Sequence, residues 1–402
     1  KWLKHANAVE DYLGFSDIIF PLFLFIVGLS IPLAIKNRID KGHSDISISK
    51  HIIIRSISLL IIGVYMVNYE TAHDESIFIG KTYWTLLMAL AVVLIWTNWK
   101  KSPIKSYWHP YIQFLGFIIL IFLAFIYKGG ENGSLWMTTQ WWGILGLIGW
   151  AYLLNSLVYV FSKGSLLIMS LLWLLLISLS MLNHSEMSIE FTGFSRYFST
   201  ILTGTIPAFT TAGIVATLIF KRFQKTAIKW SYFSLIILGI INLIFGLATR
   251  PIWGISKIQG TPSWLGICTG IGFLMFALLY YIADEKKHTN WAKIIAPAGT
   301  ATLTCYMIPY FIYPLRTITE IRIPEILINN QKNITFVAIT NEEYSEIKHL
   351  FSNLNVELIQ NNIPFENFCL SLEKPLNYKK TFVFFGRIHP HKNIIKMMRL
   401  FV

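Results

Sequence analysis

Long apolar runs recur along this chain about every 25 to 30 residues, and each is long enough to cross ~30 Å of hydrocarbon. A backbone in that medium must satisfy its own hydrogen bonds, so each run is expected to be a helix. Of the 402 residues, 54% are hydrophobic and 14% are charged, whereas a soluble domain carries about 25% charged residues. The sequence therefore predicts an all-α polytopic membrane helix bundle of about ten transmembrane helices. The expected spans are 15–35, 52–68, 82–98, 110–127, 141–161, 164–182, 198–220, 228–249, 263–283 and 293–315.

The loops after the first, third and seventh expected spans carry the basic residues, which places these loops in the cytoplasm. They contain Lys36, Arg38, Lys41, Lys50, Lys100, Lys101, Lys105, Lys221, Arg222, Lys225 and Lys229. By alternation, residues 1–14 and 183–197 are expected to be extracytoplasmic. The formal charge of +13 does not indicate nucleic-acid binding, because the basic residues form no stripe with interleaved aromatics.

Aromatic residues cluster at the ends of the expected spans, as in the interfacial belts of membrane proteins. They include Tyr83, Trp84, Trp96, Trp99, Trp141, Trp142, Trp230, Tyr232 and Trp264. The three cysteines, Cys268, Cys305 and Cys369, have no metal-ligand spacing, so no metal site is expected.

The character of the chain changes after residue 324. Residues 325–402 have no spanning run and carry interspersed charges, which is typical of short strands and helices in a soluble α/β segment. We therefore expect two domains, a membrane domain over 1–324 and a small α/β fragment over 325–402. The same charge rule would bring this tail out on the extracytoplasmic side.

The first candidate chemistry lies in the stretch that leads into the first span. His5 precedes the membrane, and Asp17 falls in the first turn of the expected helix, where the helix dipole favours a carboxylate. Carboxylates at a membrane boundary often have a function. The alternatives are that Asp17 caps the helix and that His5 is a solvated loop residue.

Four segments, taken in order, resemble the family of heparan-alpha-glucosaminide N-acetyltransferase and its bacterial relatives. In that family a loop His precedes a Gly, an Asp, Phe-Pro and a Phe-rich helix. The matching residues are His5, Gly14, Asp17, Phe20-Pro21, Phe23, Phe25 and Gly28; Arg55-Ser56, Leu59, Gly63 and Asn68; Pro251, Trp253, Ser256 and Thr261; and Pro297-Ala298-Gly299-Thr300, where a helix start is expected. The resemblance covers about residues 1–324, although the spacing from His5 to Asp17 is longer than in the family.

The resemblance implies a membrane acyltransferase that moves an acetyl group from acetyl-CoA, its co-substrate, to an amino sugar or glycan on the outer face of a bacterial inner membrane. His5 is then a general base or an acetylated intermediate, while Asp17 and Asn68 position the imidazole or the sugar. Arg55 is expected either to meet a phosphate of coenzyme A or to snorkel to the interface. The expected partners are the lipid bilayer and the acceptor, with a homodimer left open.

The main alternative function is a transporter or flippase for a sugar or lipid-linked glycan. Such proteins tend to place carboxylates and broken helices at mid-membrane, whereas Asp17 and Arg55 lie near the ends of their expected spans. The family also implies a further helix before residue 1 and another after Tyr313-Pro314-Leu315, so both ends of the bundle are expected to be incomplete.

The tail resembles an internal slice of a retaining family 4 glycosyltransferase of the two-Rossmann (GT-B) type. The resemblance rests on 359–368 and on 381–392, a strand followed by a basic loop. It implies that Arg387 and Lys392 bind the diphosphate of a nucleotide sugar. Because the acceptor domain and a later acidic motif are missing, we expect a truncated or joined fragment with its junction near 324–331, rather than a membrane-anchored glycosyltransferase. A genuine fusion is the alternative.

Overall fold

The computed structural model describes residues 3–99, 102–186, 190–224, 228–319, 335–338, 345, 348 and 355–358. Contacts divide the chain into two compact units, Lys1–Pro314 and Leu315–Val402. The helices are α1 Phe15–Asp40, α2 Asp45–Glu70, α3 Gly80–Trp96, α4 His109–Ile126, α5 Gly143–Phe161, α6 Leu166–Asn183, α7 Ser199–Leu202, α8 Thr205–Gln224, α9 Ile228–Trp253, α10 Pro262–Tyr280, α11 Ala292–Thr300 and α12 Thr302–Thr319.

Eight helical segments in the described part of the chain are long and apolar enough to cross a membrane. They are α1, α2, α4 with the 3-10 turn Ser106–Trp108, α5, α6, α8 with the helical turns that precede it, α9, and α10 with the π-helical turn Tyr281–Glu285. Helix α3 is apolar but shorter. This is the make-up of an integral membrane protein, as the hydropathy pattern predicts.

The tenth expected span, 293–315, is not one helix. It is divided at Ala301 into α11 and α12, and neither is among the eight. Helix α11 has only nine residues. Helix α12 carries Thr, Tyr, Pro and Arg residues in place of an unbroken aliphatic run. The described residues thus contain eight helices long and apolar enough to span, where about ten were expected, and a new helix does begin just after Pro297–Thr300.

Helix α1 is held against α8 by a close approach of their backbones. A Cβ atom added at Gly28 would lie 2.0 Å from the carbonyl oxygen of Thr210, and one added at Gly213 would lie 2.0 Å from that of Phe25. Small residues at such crossings are typical of membrane helices. The crossing leaves room for nothing larger than Gly, so it fixes the position of α1.

Hydrogen bonds show which helix termini lie together at each of the two opposite ends of the bundle. At one, Trp253 Nε1 donates to the carbonyl oxygen of His184 and Thr205 Oγ1 donates to that of Gly260. We call this the His5 end, since the N-terminal stretch lies there. At the other, Arg38 contacts His51 and Lys163 contacts Asp45. This basic end carries Lys36, Arg38, Lys41, Lys50, Lys221 and Arg222.

The second unit contains two described strands, β1 Thr335–Ala338 and β2 Asn355–Leu358. They pair in parallel, with Thr335 opposite Asn355. Arg387 and Lys392 lie outside the described residues. The predictions of a glycosyltransferase-like fragment, and of a domain boundary at 324, stay predictions.

Candidate functional site

His5 and Asp17 are in direct contact, although they are twelve positions apart in the sequence. Nδ1 of His5 lies 2.7 Å from Oδ1 of Asp17. The carboxyl is 1% exposed, whereas the imidazole is 59% exposed. The chain thus brings a reactive ring to the surface and anchors it on a buried acid, which is the arrangement that orients a catalytic histidine.

The second oxygen of Asp17 is occupied by the backbone. Oδ2 accepts from the N–H groups of Ala6 and Gly14, at 3.0 Å and 3.1 Å. The bond from Gly14 makes Asp17 part of the N-terminal cap of α1, as the structural alternative predicted. Capping and pairing with His5 are therefore two uses of one carboxylate, since each involves a different oxygen.

Gly14 allows the N-terminal stretch to pack this tightly. A Cβ atom at Gly14 would lie 2.2 Å from the carbonyl oxygen of Lys4, closer than any side chain tolerates. The residue before the helix must therefore lack a side chain for residues 4–6 to reach Asp17. This explains why the Gly and the Asp occur together in the sequence.

The loop between α9 and α10 packs against the same N-terminal stretch. Arg250 Nε donates to both carboxyl oxygens of Asp11, at 3.1 Å and 2.9 Å, and the N–H of Ile255 donates to Oδ1 at 2.7 Å. Ser256 Oγ donates to the carbonyl oxygen of Ala8. Two of the sequence segments that carry the resemblance are thus neighbours in space.

These contacts also fix the charge of Asp11. Burial raises the pKa of its carboxyl, but the hydrogen bonds from Arg250 and Ile255 and the charge of Arg250 outweigh burial and lower it. The ionised carboxylate is therefore what ties the N-terminal stretch to the end of α9.

Lys257 is a member of the site that the sequence analysis missed. Its Nζ lies 3.2 Å from Nδ1 of His5. Burial lowers the pKa of Lys257, and the nearby charge of Asp17 opposes that change. No local signal singles Lys257 out, because Lys128, Arg196 and Arg250 also lie in loops that are expected to be extracytoplasmic.

Trp264 and Trp84 are buried and are not interfacial anchors. The indole of Trp264, in α10, is 1% exposed and donates from Nε1 to the carbonyl oxygen of Asp17 at 3.1 Å. Trp84 is 0% exposed and donates to the carbonyl oxygen of Leu123. The prediction that these two residues belong to an interfacial belt was wrong. Tertiary packing buries both indoles and supplies the carbonyl oxygen that each buried N–H needs as an acceptor.

Asn68 is not in contact with His5 or Asp17. Its amide donates to the carbonyl oxygens of Val64 and Thr138 and accepts from the N–H of Thr138 and the side chain of Gln140. The residue is 1% exposed. Helix α2 packs mainly on α5, whereas α1 packs mainly on α8 and α10. The described structure brings Asn68 to the loop before α5 and not to the His5 site.

Arg55 lies over the ring of Tyr152, with the guanidinium carbon 5.3 Å from the ring centre. Because α2 begins at Asp45 and not at 52, Arg55 is further from the helix end than expected. The side chain is exposed, and no carboxylate partner for it occurs among the described residues. Its guanidinium can therefore pair with an anion such as a phosphate. Among the described residues, no cavity surrounds it.

No protein-family model matches the chain, and no curated protein matches it in sequence. The chemical case therefore rests on the geometry of His5, Asp17 and Lys257. An exposed imidazole held at Nδ1 by a buried carboxylate can take up a proton, or an acyl group, at Nε2. A half-buried ammonium beside it can stabilise negative charge.

Proposed function

We propose that the chain is a membrane acyltransferase that transfers an acetyl group from acetyl-CoA to an amino sugar or related glycan. The observation that carries the proposal is the 2.7 Å contact between Nδ1 of exposed His5 and the buried carboxylate of Asp17. A solvated loop histidine has no need of such a partner. The resemblance of the sequence to N-acetyltransferases of amino sugars supplies the substrate class.

In this proposal His5 acts from Nε2, which has no hydrogen-bond partner among the described residues. Asp17 accepts a hydrogen bond from Nδ1–H and thereby selects the tautomer with the lone pair on Nε2. Nε2 removes a proton from the ammonium of the sugar, or attacks the acetyl group itself; both routes use the same nitrogen. Asn68 takes no part, since its amide is fully hydrogen-bonded.

The two ends of the bundle support an orientation for the reaction. A cluster of basic residues, including Lys36, Arg38, Lys221 and Arg222, lies at the end opposite to His5. The positive-inside tendency therefore favours His5 and residues 1–14 on the outer face of a bacterial inner membrane. Acetyl-CoA is made in the cytoplasm, and Arg55 in α2 is the candidate for one of its phosphates. Arg55 can bind a phosphate only because its guanidinium has no carboxylate partner among the described residues.

The test is transfer of radiolabelled acetyl from acetyl-CoA to a panel of amino sugars by the chain in lipid nanodiscs. His5→Ala is expected to abolish the transfer that the wild type performs. His109→Ala is the matched control, since His109 is partly exposed at the start of α4, where it contacts the carbonyl oxygen of Ile104 and the ring of Trp99, and has no carboxylate partner among the described residues.

Equal transfer by the wild type and His5→Ala would contradict the proposal. Absence of transfer with every acceptor, together with uptake of a sugar into proteoliposomes, would instead favour the transporter or flippase alternative.

A further inference from the structure

We propose that Lys257 is a catalytic residue whose ammonium donates a hydrogen bond to the oxygen of the acyl group during transfer. This inference rests on the proposed acyltransferase function and assigns to its site a second reactive group. It starts from the position of Nζ, 3.2 Å from the ring nitrogen of His5 that also contacts Asp17.

The ring nitrogen shared by these two contacts cannot serve both neighbours as an acceptor. Oδ2 of Asp17 accepts two backbone N–H groups, and such bonds favour the carboxylate form. Oδ1 is then an acceptor, so Nδ1 of His5 must carry the hydrogen. A protonated Nδ1 has no lone pair to offer to Lys257.

The N–H donors of Lys257 are therefore unused. Among the described residues, Nδ1 of His5 is the sole atom within hydrogen-bonding distance of Nζ. Ser256, the preceding residue, is anchored by its bond to the carbonyl oxygen of Ala8, which holds the lysine in place. These donors are open to solvent, and a substrate oxygen beside His5 can take the place of water as their acceptor.

The reaction that uses this donor balances as follows. Nε2 of His5 first takes a proton from the ammonium of the acceptor and releases it to water. The neutral amine then attacks the thioester carbonyl carbon and forms the C–N bond, and its nitrogen gives a second proton to Nε2. The carbonyl oxygen takes up the electron pair as an oxyanion beside Lys257. The C–S bond then breaks, the oxyanion returns to a carbonyl, and the thiolate of coenzyme A accepts the proton from His5.

The competing interpretation is that Lys257 is a counter-ion for Asp17 and has no contact with substrate. Both interpretations predict lower activity in Lys257→Met, so activity alone does not separate them. The acyl oxygen does separate them, since replacing it by sulfur gives a much poorer acceptor. If Lys257 donates to the acyl oxygen, Lys257→Met must slow the reaction of the sulfur substrate much less than that of acetyl-CoA. If Lys257 acts only through the structure, the substitution must slow both reactions equally.

The experiment measures kcat and KM for wild type, Lys257→Met and Lys257→Arg with acetyl-CoA and with its dithioester analogue, in which sulfur replaces the carbonyl oxygen. With acetyl-CoA, Lys257→Met is expected to lower kcat about 100-fold to 1,000-fold with little change in KM, and Lys257→Arg to recover part of the loss. With the dithioester, wild type and Lys257→Met are expected to differ by less than about 5-fold.

The matched control is Lys128→Met, which removes an exposed lysine from another loop and is expected to leave both rates unchanged. Equal losses with both substrates, or unchanged kcat in Lys257→Met, would overturn the proposal while leaving His5 as the catalytic group. Wild type that transfers no acetyl would overturn the acyltransferase function itself, and His5→Ala shows which of the two has failed.

Discussion

Asp17 and Asn68 are equally buried, each with 1% of its surface exposed, and both lie at the His5 end of the bundle. The amide of Asn68 is fully hydrogen-bonded by its own chain, through Val64, Thr138 and Gln140. Asp17 gives one oxygen to the backbone and the other to an exposed imidazole. A buried polar side chain whose hydrogen bonds all go to backbone groups and structural side chains has a structural role. One that is also hydrogen-bonded to an exposed reactive side chain can have a functional role as well.

Asp17→Asn tests most directly whether Asp17 has a functional role that Asn68 lacks. The amide oxygen can still accept from Ala6 and Gly14, so the fold is expected to persist. The amide cannot hold Nδ1–H of His5 as a carboxylate does, and acetyl transfer is expected to fall about 100-fold to 10,000-fold. The measurement is kcat at pH 7 with thermal unfolding recorded in parallel. A normal kcat would mean that Asp17 is a cap and nothing more.

Asn68→Leu is expected to give the opposite result. It removes the four hydrogen bonds of the buried Asn68 amide, to Val64, Thr138 and Gln140, which should cost about 1 to 3 kcal/mol of stability. Activity per folded molecule should be unchanged. Thermal unfolding in detergent checks the first expectation and kcat the second.

Asn242→Leu is the control for this substitution. Asn242 is similarly buried, but its amide donates only to the carbonyl oxygen of Leu238 in its own helix, so the loss should be less than about 1 kcal/mol. If Asn68→Leu abolished transfer in a fully folded protein, Asn68 would belong to the site after all.

The smallest expected effect concerns the tie between Asp11 and Arg250, which holds the N-terminal stretch of the site. The folded-state pKa of Asp11 is lowered, so its contribution to stability is present above the unfolded pKa of about 3.9. The contribution is lost as the pH falls through the folded-state value. For a half-exposed pair, it should be less than about 1 kcal/mol.

The measurement is the unfolding temperature of wild type and Asp11→Asn from pH 3 to pH 6. Wild type should be the more stable at pH 6, and the two should converge towards pH 3. Asp40→Asn, at an exposed position near the end of α1, should show no such trend. A constant difference between wild type and Asp11→Asn across the range would show that the charge of Asp11 contributes nothing.

The sequence by itself determined that this chain is a bundle of membrane-spanning helices, because an apolar run can satisfy its backbone in lipid only by forming a helix. It also placed Asp17 in the first turn of α1, and it singled out His5. It predicted one span at 293–315, where a break at Ala301 separates two helices that local hydropathy had merged.

Only the tertiary structure decided which polar groups meet. Lys257 is 252 residues from His5 in sequence, and Trp264 is 247 residues from Asp17. Such contacts depend on how α1, α9 and α10 pack, and no local pattern encodes that packing. The same reason separates Asn68 from the site: residues at similar depth on different helices look alike in a sequence, and the helix that each one packs against decides whether it meets His5.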